Sequence, residues 1–446
     1  MKVGQPSIFC GFNGLAFASR KLFRGVVYCY NFYRRNGLLP LVAHLRTEVL
    51  RWERPGKLQM FFAGVWSDGR CSLRRNAFAA VLGRNDVLDV VITFSSEGGA
   101  VGYLQKRLLD KRDCATLVIR NTNAKGVFAC QVWERGRSVV SFYTDDIWKL
   151  LGRFPHIRYH ELFVNELVGW GACVGESRLT HKGFLALVKM ICEAKRSFGA
   201  RLVVAVHDYF FLCPRINLID VSFKYCGFGL DVERCGRCLE QEGIQIAEWR
   251  KAAGMLFDSC DELRCFSEDS KNRVLAHFPG LSKITVVPHF PLEKFVNLSR
   301  PDARALDEVV VGVVGSIDDK KGRREVLALS EHIAKTGVSV RIVVIGMMEG
   351  GRKGCRNLRI TGSFRHDELP ILLRRHRVGV AFFPSVCPET FSFVVHELMA
   401  IGIPVVCFDL GAQAEYVRTY RRGRVVPIMA GPDKVLDAIR DLYAAS

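Results

Sequence analysis

Long apolar runs are missing from this sequence. No stretch approaches the ~18 apolar residues that a membrane-spanning helix requires. Acidic side chains are short in number too, with 45 Asp and Glu against 64 Lys and Arg and a formal net charge of +19. That balance favours anionic partners over cationic ones. Low-complexity tracts are few, and 49% of the residues are hydrophobic, so a large core is available. Residues 1–24 lack the charged, apolar and small-residue order of a secretory signal, which predicts a cytoplasmic protein. Cysteine is plentiful, at sixteen residues, but a pairing framework is lacking. Cys29, Cys130, Cys192 and Cys407 are scattered in apolar surroundings, the usage of reduced, buried thiols.

A chain of 446 residues predicts two or three domains. Residues 1–85 carry fourteen Lys or Arg against three Asp or Glu, a balance of +11. Much of that excess alternates with aromatics between Leu15 and Arg35. Such a segment suits an anionic membrane surface, nucleic acid, or an ordinary basic face of an accessory subdomain. Its fold is unassigned, although Trp52, Trp66 and the apolar runs argue for a folded region.

Regular patterning starts near Asn85. Val87–Phe94 reads as a buried strand. Gly98 and Gly99 then lead into a helix over about Ala100–Leu109, a strand–glycine–helix sequence that offers backbone N–H groups to a phosphate. Cys114–Arg120, Phe128–Val132 and Ser138–Tyr143 read as strands, the last two as a hairpin, and His156–Phe163 as another. A helix over Gly183–Phe198 precedes a central strand, Arg201–Val206. Strands alternating with helices predict a doubly wound parallel sheet, whose ligands bind at the carboxyl ends of its strands. His207 and Asp208 stand at such an end, where a polar ring is poorly placed for core packing.

Four cysteines follow within residues 209–240: Cys213, Cys226, Cys235 and Cys238. One Cys-x-x-Cys knuckle with two upstream thiols fits a structural zinc site, free thiols, or redox chemistry.

A second sheet opens at Val309–Val314 and runs into Gly315, Ser316 and the Asp-Asp-Lys-Lys-Gly segment ending at Gly322. Strands are expected at Val340–Gly346, Leu358–Thr361 and Gly379–Phe383, with helices at Arg323–Thr336, Asp367–His376 and Asp433–Ala444. Residues 382–406 form the most informative stretch. A strand ends at Pro384, a loop carries Glu389, a helix over about Phe391–Ile401 carries Glu397, and Gly402 and Pro404 lead to another strand. Eight helical residues rise ~12 Å and return to nearly the same face. Two carboxylates so placed can accept hydrogen bonds from sugar hydroxyls.

Pro384, Ser385, Glu389, Phe391, Glu397, Met399, Ala400, Gly402 and Pro404, followed by Gly411 and Glu415, resemble the E-x7-E region of the retaining nucleotide-sugar glycosyltransferases of family four. The segment Gly315–Gly322 is similar to that family's Gly-Arg-x-x-x-x-Lys-Gly loop, with Lys321 in place and Ser316 where the arginine usually stands. Ser392 replaces a usual glycine, Leu398 an alanine, Ala412 a second glycine, and His289 the usual asparagine of the interdomain linker. A similar cysteine-rich insertion occurs in some bacterial surface-polysaccharide glycosyltransferases.

The resemblance implies an α/β, GT-B architecture of two Rossmann-like domains facing a cleft. An N-terminal extension (1–85), an acceptor domain (86–296) and a donor domain (297–446) are expected. It implies transfer of a sugar from a nucleoside diphosphate to an acceptor hydroxyl with retained configuration, in surface polysaccharide or glycolipid assembly. Glu389, His207 and Lys321 would be catalytic. Glu397 would hold the ribose. Gly98, Gly99, Gly315, Ser316, Thr390, Phe391 and Ser392 would line the donor. No catalytic metal is expected. The expected partners are a nucleoside-diphosphate sugar, a carbohydrate or lipid-linked acceptor and an anionic membrane face, rather than nucleic acid. Ser316 and Ser392 also fit a non-catalytic nucleotide-sugar-binding protein, and the fold also serves nucleotide-sugar epimerases.

Overall fold

The computed structural model describes residues 77–94, 99–121, 127–144, 146–174, 176, 178–227, 229–289, 308–350 and 356–445. The basic segment over 1–76, Gly98 and the connection over 297–307 lie outside the described residues.

The first sheet contains β1 (Val87–Thr93), β2 (Ala115–Asn121), β3 (Phe128–Glu134), β4 (Arg137–Thr144), β5 (Arg158–Val164), β6 (Arg201–Ala205), β7 (Glu262–Cys265) and β8 (Ile284–Val286). Their order is β4-β3-β2-β1-β5-β6-β7-β8. The pairs from β2 through β1 and β5 to β8 are parallel, and β3 and β4 add an antiparallel hairpin at one edge. The central strands are nearly unbroken apolar runs because helices cover both faces of a parallel sheet. Asp89 of β1 and Glu161 of β5 are buried acidic exceptions. Arg112 forms a salt bridge with each, and the His160 ring lies 3.0 Å from Asp89.

Helix α1 (Gly99–Lys111) follows β1, and α2 (Ile147–Leu151) precedes β5. Helix α3 (His181–Phe198) buries Phe184, Leu187, Val188 and Ile191, a spacing of three and four that keeps one face on the sheet. Its N-terminus is fixed by Thr180, whose hydroxyl accepts from the Gly183 amide at 3.2 Å. Phe184 stacks on Trp249 of α5 (Ile246–Ser259) at 4.4 Å, with α4 (Val232–Leu239) before it. Helix α6 (Glu268–His277) starts on Ser267 in a reciprocal capping box with Ser270.

The second sheet holds β9 (Val309–Ile317), β10 (Val340–Met348), β11 (Leu358–Ile360), β12 (Val380–Phe383), β13 (Val405–Phe408) and β14 (Gly423–Val426). It is parallel throughout, in the order β11-β10-β9-β12-β13-β14. Renumbered from its first strand, that order is 3-2-1-4-5-6, the doubly wound dinucleotide-fold topology. Its helices are α7 (Arg323–Thr336), α8 (Leu369–Arg375), α9 (Phe393–Ile401), α10 (Gly411–Thr419) and α11 (Pro432–Ala444). The expected α/β class with two parallel-sheet domains is therefore present.

Three local expectations shift. β9 runs on through Gly315 and Ser316 to Ile317, because β10 stays in register to Met348. The helix carrying Glu397 begins at Phe393 rather than Phe391. The helix anticipated at Asp367 opens as a 3-10 turn over His366–Glu368, before Pro370 near the start of α8.

Candidate donor site at the facing sheet ends

Strand order reverses at β1/β5 in one sheet and at β9/β12 in the other, and a crevice opens outside the carboxyl ends there. Loops from the carboxyl ends of the two sheets touch where Thr390 meets His207. At the second sheet the lining comes from the loop after β9, which carries Lys321, and the loop after β12, which carries Glu389. Two glycines permit the close approach. Gly322 has φ +84°, and a Cβ on it would lie 2.0 Å from the Pro384 carbonyl oxygen. Gly411 has φ +67°, and its Cβ would meet the Glu389 amide nitrogen at 2.6 Å. A side chain at either position would push the two loops apart.

Lys321 and Glu389 form a salt bridge. Burial pulls the Lys321 ammonium down, but the Glu389 carboxylate and the neighbouring Cys387 outweigh it and hold its pKa above the usual lysine value. The Glu389 backbone is fixed by Gln413, a fully buried side chain at the start of α10. Its Oε1 accepts from the Glu389 amide at 3.0 Å, and its Nε2 donates to the Cys387 carbonyl at 3.0 Å. Gln413 is a positioning residue without a sequence signal of its own.

Gly315 has φ +127° with open space around it, and Ser316 is exposed. Arg323 and Arg324, the cations near the missing arginine, both turn to Asp319, at 2.7 and 3.2 Å. Lys321 therefore points at Glu389 while its arginine neighbours are engaged elsewhere.

Glu397 is buried on α9, and burial raises its pKa despite the partner it has. That partner is the His366 ring, whose Nε2 pairs with Glu397 Oε1. His366 lies in the turn after β11 and is a site residue that sequence reading missed, since a histidine in a polar loop carries no pattern.

The first domain contributes His207 at the end of β6. Its Nε2–H donates to Asn165 Oδ1 at 2.8 Å, which leaves Nδ1 buried without a hydrogen-bond partner. Burial, and secondarily His289, keep its pKa well below the usual histidine value, so the ring is neutral at physiological pH. Asn165 is fully buried after β5 and also donates to the Val101 carbonyl of α1 at 3.2 Å. It is a second unforeseen residue, sitting at the first sheet's switch point. Gly99 is the first residue of α1, and Gly98 lies outside the described residues. Asp208 accepts from the Phe210 amide at 2.9 Å, and burial raises its carboxyl to about 7.

His207, Phe266 and His289 stack, with Phe266 and His289 centroids 4.0 Å apart. Phe391 closes the stack edge-on to His289 at 5.1 Å and lies face to face with His396 at 4.3 Å. Phe391 thereby shares an apolar cluster with Val91, Phe163, Val203 and Phe266 of the first domain. Beside it, the Thr390 hydroxyl donates to the His207 carbonyl at 2.7 Å. Ser392 is the N-cap of α9, yet its buried hydroxyl makes no cap bond and has no partner. At the rim, Glu415 accepts from the Glu268 and Asp269 amides at 3.2 and 2.7 Å, so α10 caps α6 of the other domain.

These features place a lysine, two acidic side chains and a helix start on the loops after β9 and β12, near a half-buried histidine that follows β6 of the other sheet. Residues 308–445 match the family Glycosyl transferases group 1. Lys321, Glu389, Thr390, Phe391, Ser392 and Glu397 all lie within the matched residues. No curated protein matches the chain. Among solved structures, the chain is similar to Anabaena Alr3699/HepE in complex with UDP at 17% identity, covering 80% of this chain and 90% of that one, with a TM-score of 0.47. Sucrose-phosphate synthase from Thermosynechococcus elongatus aligns at 15% identity over 80% and 90%, with a TM-score of 0.45. The lipopolysaccharide outer core galactosyltransferase WaaB aligns at 12% identity over 80% and 90%, with a TM-score of 0.46.

The four insertion cysteines share one neighbourhood. Cys213 is buried with Tyr209 and Leu218, with Cys226 packed alongside. Burial, with smaller contributions from Cys226 and Cys235, pushes the Cys213 thiol up to about 12. All four thiols are free, and among the described residues no group of three or more His, Cys, Asp or Glu side chains is arranged to hold a metal ion. Nor is any described helix long and apolar enough to cross a membrane.

Proposed function

We propose that the chain is a retaining glycosyltransferase that moves a sugar from a nucleoside diphosphate to an acceptor hydroxyl. The observation that carries the reading is the convergence of Lys321 and Glu389 at the 3-2-1-4-5-6 switch point, opposite His207. A nucleoside diphosphate gains negative charge as its sugar bond breaks. Lys321, the Gly99 helix start and the amides around Thr390–Ser392 are the groups that would meet it. Gly315 and Ser316 would let the phosphates approach β9. Glu389 would hold the sugar and stabilise the positive charge that develops on its ring. Glu397 would accept from the ribose hydroxyls. Neutral His207 would orient the sugar rather than act as a base, because its Nδ1 lone pair lies buried in the seam.

No step in this reading calls for a catalytic metal. A structural zinc on Cys213, Cys226, Cys235 and Cys238 is a separate proposal, supported by the spacing and the shared neighbourhood rather than by the arrangement of the thiols. Metal analysis of the purified chain before and after thiol alkylation tests it. One equivalent of zinc, released by alkylation, is the expected result. The acceptor is proposed to be a carbohydrate or a lipid-linked glycan, with the protein held at an anionic membrane face by its basic N-terminal residues.

A thermal-shift panel of UDP, GDP and ADP and their sugars tests the donor. A ligand at about 100 times its Kd adds ~2.7 kcal/mol to the stability of the folded form. NMR of the product's anomeric proton with the active donor then tests retention. Nucleotide binding without turnover across a broad acceptor panel would instead mark a binding protein, and isomerisation of the donor alone would mark an epimerase.

A further inference from the structure

The His366 ring is the hydrogen-bonding partner of Glu397. Glu397 has 4% of its side chain exposed and sits on a helix with a strongly apolar composition, Phe393–Ile401. A carboxylate in that setting is driven towards its neutral form. It is also free to turn about its terminal torsion, which is broad. A neutral, turning carboxyl is a poor acceptor for a vicinal diol. His366 corrects both faults from outside. Its ring is 57% exposed, so it stays hydrated while its Nε2–H donates to one carboxylate oxygen. That bond favours the ionised form and fixes the plane of the carboxylate. The ring is delivered by a 3-10 turn that follows the short strand β11 after residues 361–365, at the carboxyl-end side of the second sheet.

We propose that His366 is a positioning residue for ribose recognition, acting through Glu397, and that the His366–Glu397 pair makes the site select ribonucleotides over 2′-deoxyribonucleotides. This rests on the reading of Glu397 as the ribose-binding carboxylate. One of the two hydroxyls that Glu397 would accept from, the 2′-hydroxyl, is absent in a 2′-deoxy ligand. A hydrogen bond to a charged group is worth ~1.5–3 kcal/mol, so the ribo form should bind at least about tenfold more tightly.

The test is calorimetric titration of the full chain with UDP, GDP and ADP and with their 2′-deoxy counterparts, for wild type, H366F and H366Q. His366 is exposed, so both variants are expected to fold, and matching circular dichroism and unfolding midpoints verify this. With the diphosphate that binds, wild type is expected to show a ribo-to-deoxy preference of about tenfold or more. H366F, which has no donor, should fall to about twofold or less by losing ribo affinity alone. H366Q, whose amide N–H can reach the carboxylate, should retain most of the preference. An unchanged preference in H366F overturns the role of His366 while leaving the donor reading intact. A wild-type preference near one overturns the ribose assignment of Glu397 and the role of His366 together. Failure of all three diphosphates to bind overturns the proposed function itself. A purely structural role for His366 would lower both affinities in parallel and leave their ratio unmoved, which also overturns the proposal.

Discussion

Lys321 and Glu389 are bonded to each other, although one is assigned to the donor's phosphates and the other to its sugar. Each neutralises its partner, which lets a cation and an anion share a narrow crevice. On the proposed reading a diphosphate arriving there would compete with Glu389 for the ammonium, and the carboxylate would be released toward the sugar.

Replacing either member separates these roles. K321M should weaken nucleoside-diphosphate binding at least tenfold and lower kcat about 10²-fold or more, because charge developing on the leaving group loses its cation. E389Q should spare diphosphate affinity and lower kcat by a comparable factor. Titration of the diphosphate and steady-state rates on both variants check this. A K321M chain with wild-type kcat would remove Lys321 from the chemistry.

Ser392 presents a trade. Its hydroxyl is buried and unpartnered, which costs about 1–3 kcal/mol in the free protein. S392A should therefore raise the unfolding midpoint while weakening diphosphate binding several-fold, since a hydroxyl beside the proposed phosphate-binding amides would donate to a phosphate oxygen. Thermal unfolding with and without nucleotide measures both effects. A variant unchanged in both respects would place the hydroxyl outside the donor site.

Asp208 predicts a pH signature. Burial raises its carboxyl to about 7 in the folded state, against about 3.9 when unfolded. The folded form therefore binds the proton more tightly, and its advantage is complete below pH ~4 and is lost as the pH climbs through ~7. D208N can still accept from the Phe210 amide and escapes this loss. It should match wild type near pH 4.5 and exceed it at pH 8, by on the order of 2 kcal/mol. Unfolding midpoints of the two proteins across that range decide it; parallel curves would contradict it.

Thr390 links the domains through the His207 carbonyl. T390V keeps the shape and removes the bond. It should cost about 1 kcal/mol of stability and lower kcat more than it changes diphosphate affinity, because the seam also excludes water from the sugar. Rates of donor hydrolysis without acceptor should rise relative to transfer. Equal losses in hydrolysis and transfer would argue against the water-exclusion role.

Much of this was legible in the chain. The second sheet follows from apolar strand runs broken by glycines, and Lys321, Glu389 and Glu397 are named by the resemblance of their two segments to a known family. His207 was legible because a polar ring directly after a buried strand has no place in the core. What could not be read is what depends on contacts distant in sequence. Asn165 matters because β5 lies beside β1, and Gln413 because α10 starts against the Glu389 loop. His366 matters because β11 ends near α9. The continuation of β9 through Ser316 came from pairing with β10, which overrode the loop pattern of its own residues.

Glu415 holds the amide end of α6, a helix belonging to the opposite lobe, some distance from the Thr390 link. Beside Glu415 the Tyr416 hydroxyl donates to the Phe266 carbonyl at 3.2 Å, so the lobes are fastened at several points along one seam. The Glu415 fastening is a charge set against a helix dipole, so its grip is expected to slacken as ionic strength rises. The polar part of the seam is thereby exposed to the surrounding electrolyte, while the apolar part around Phe391 is not.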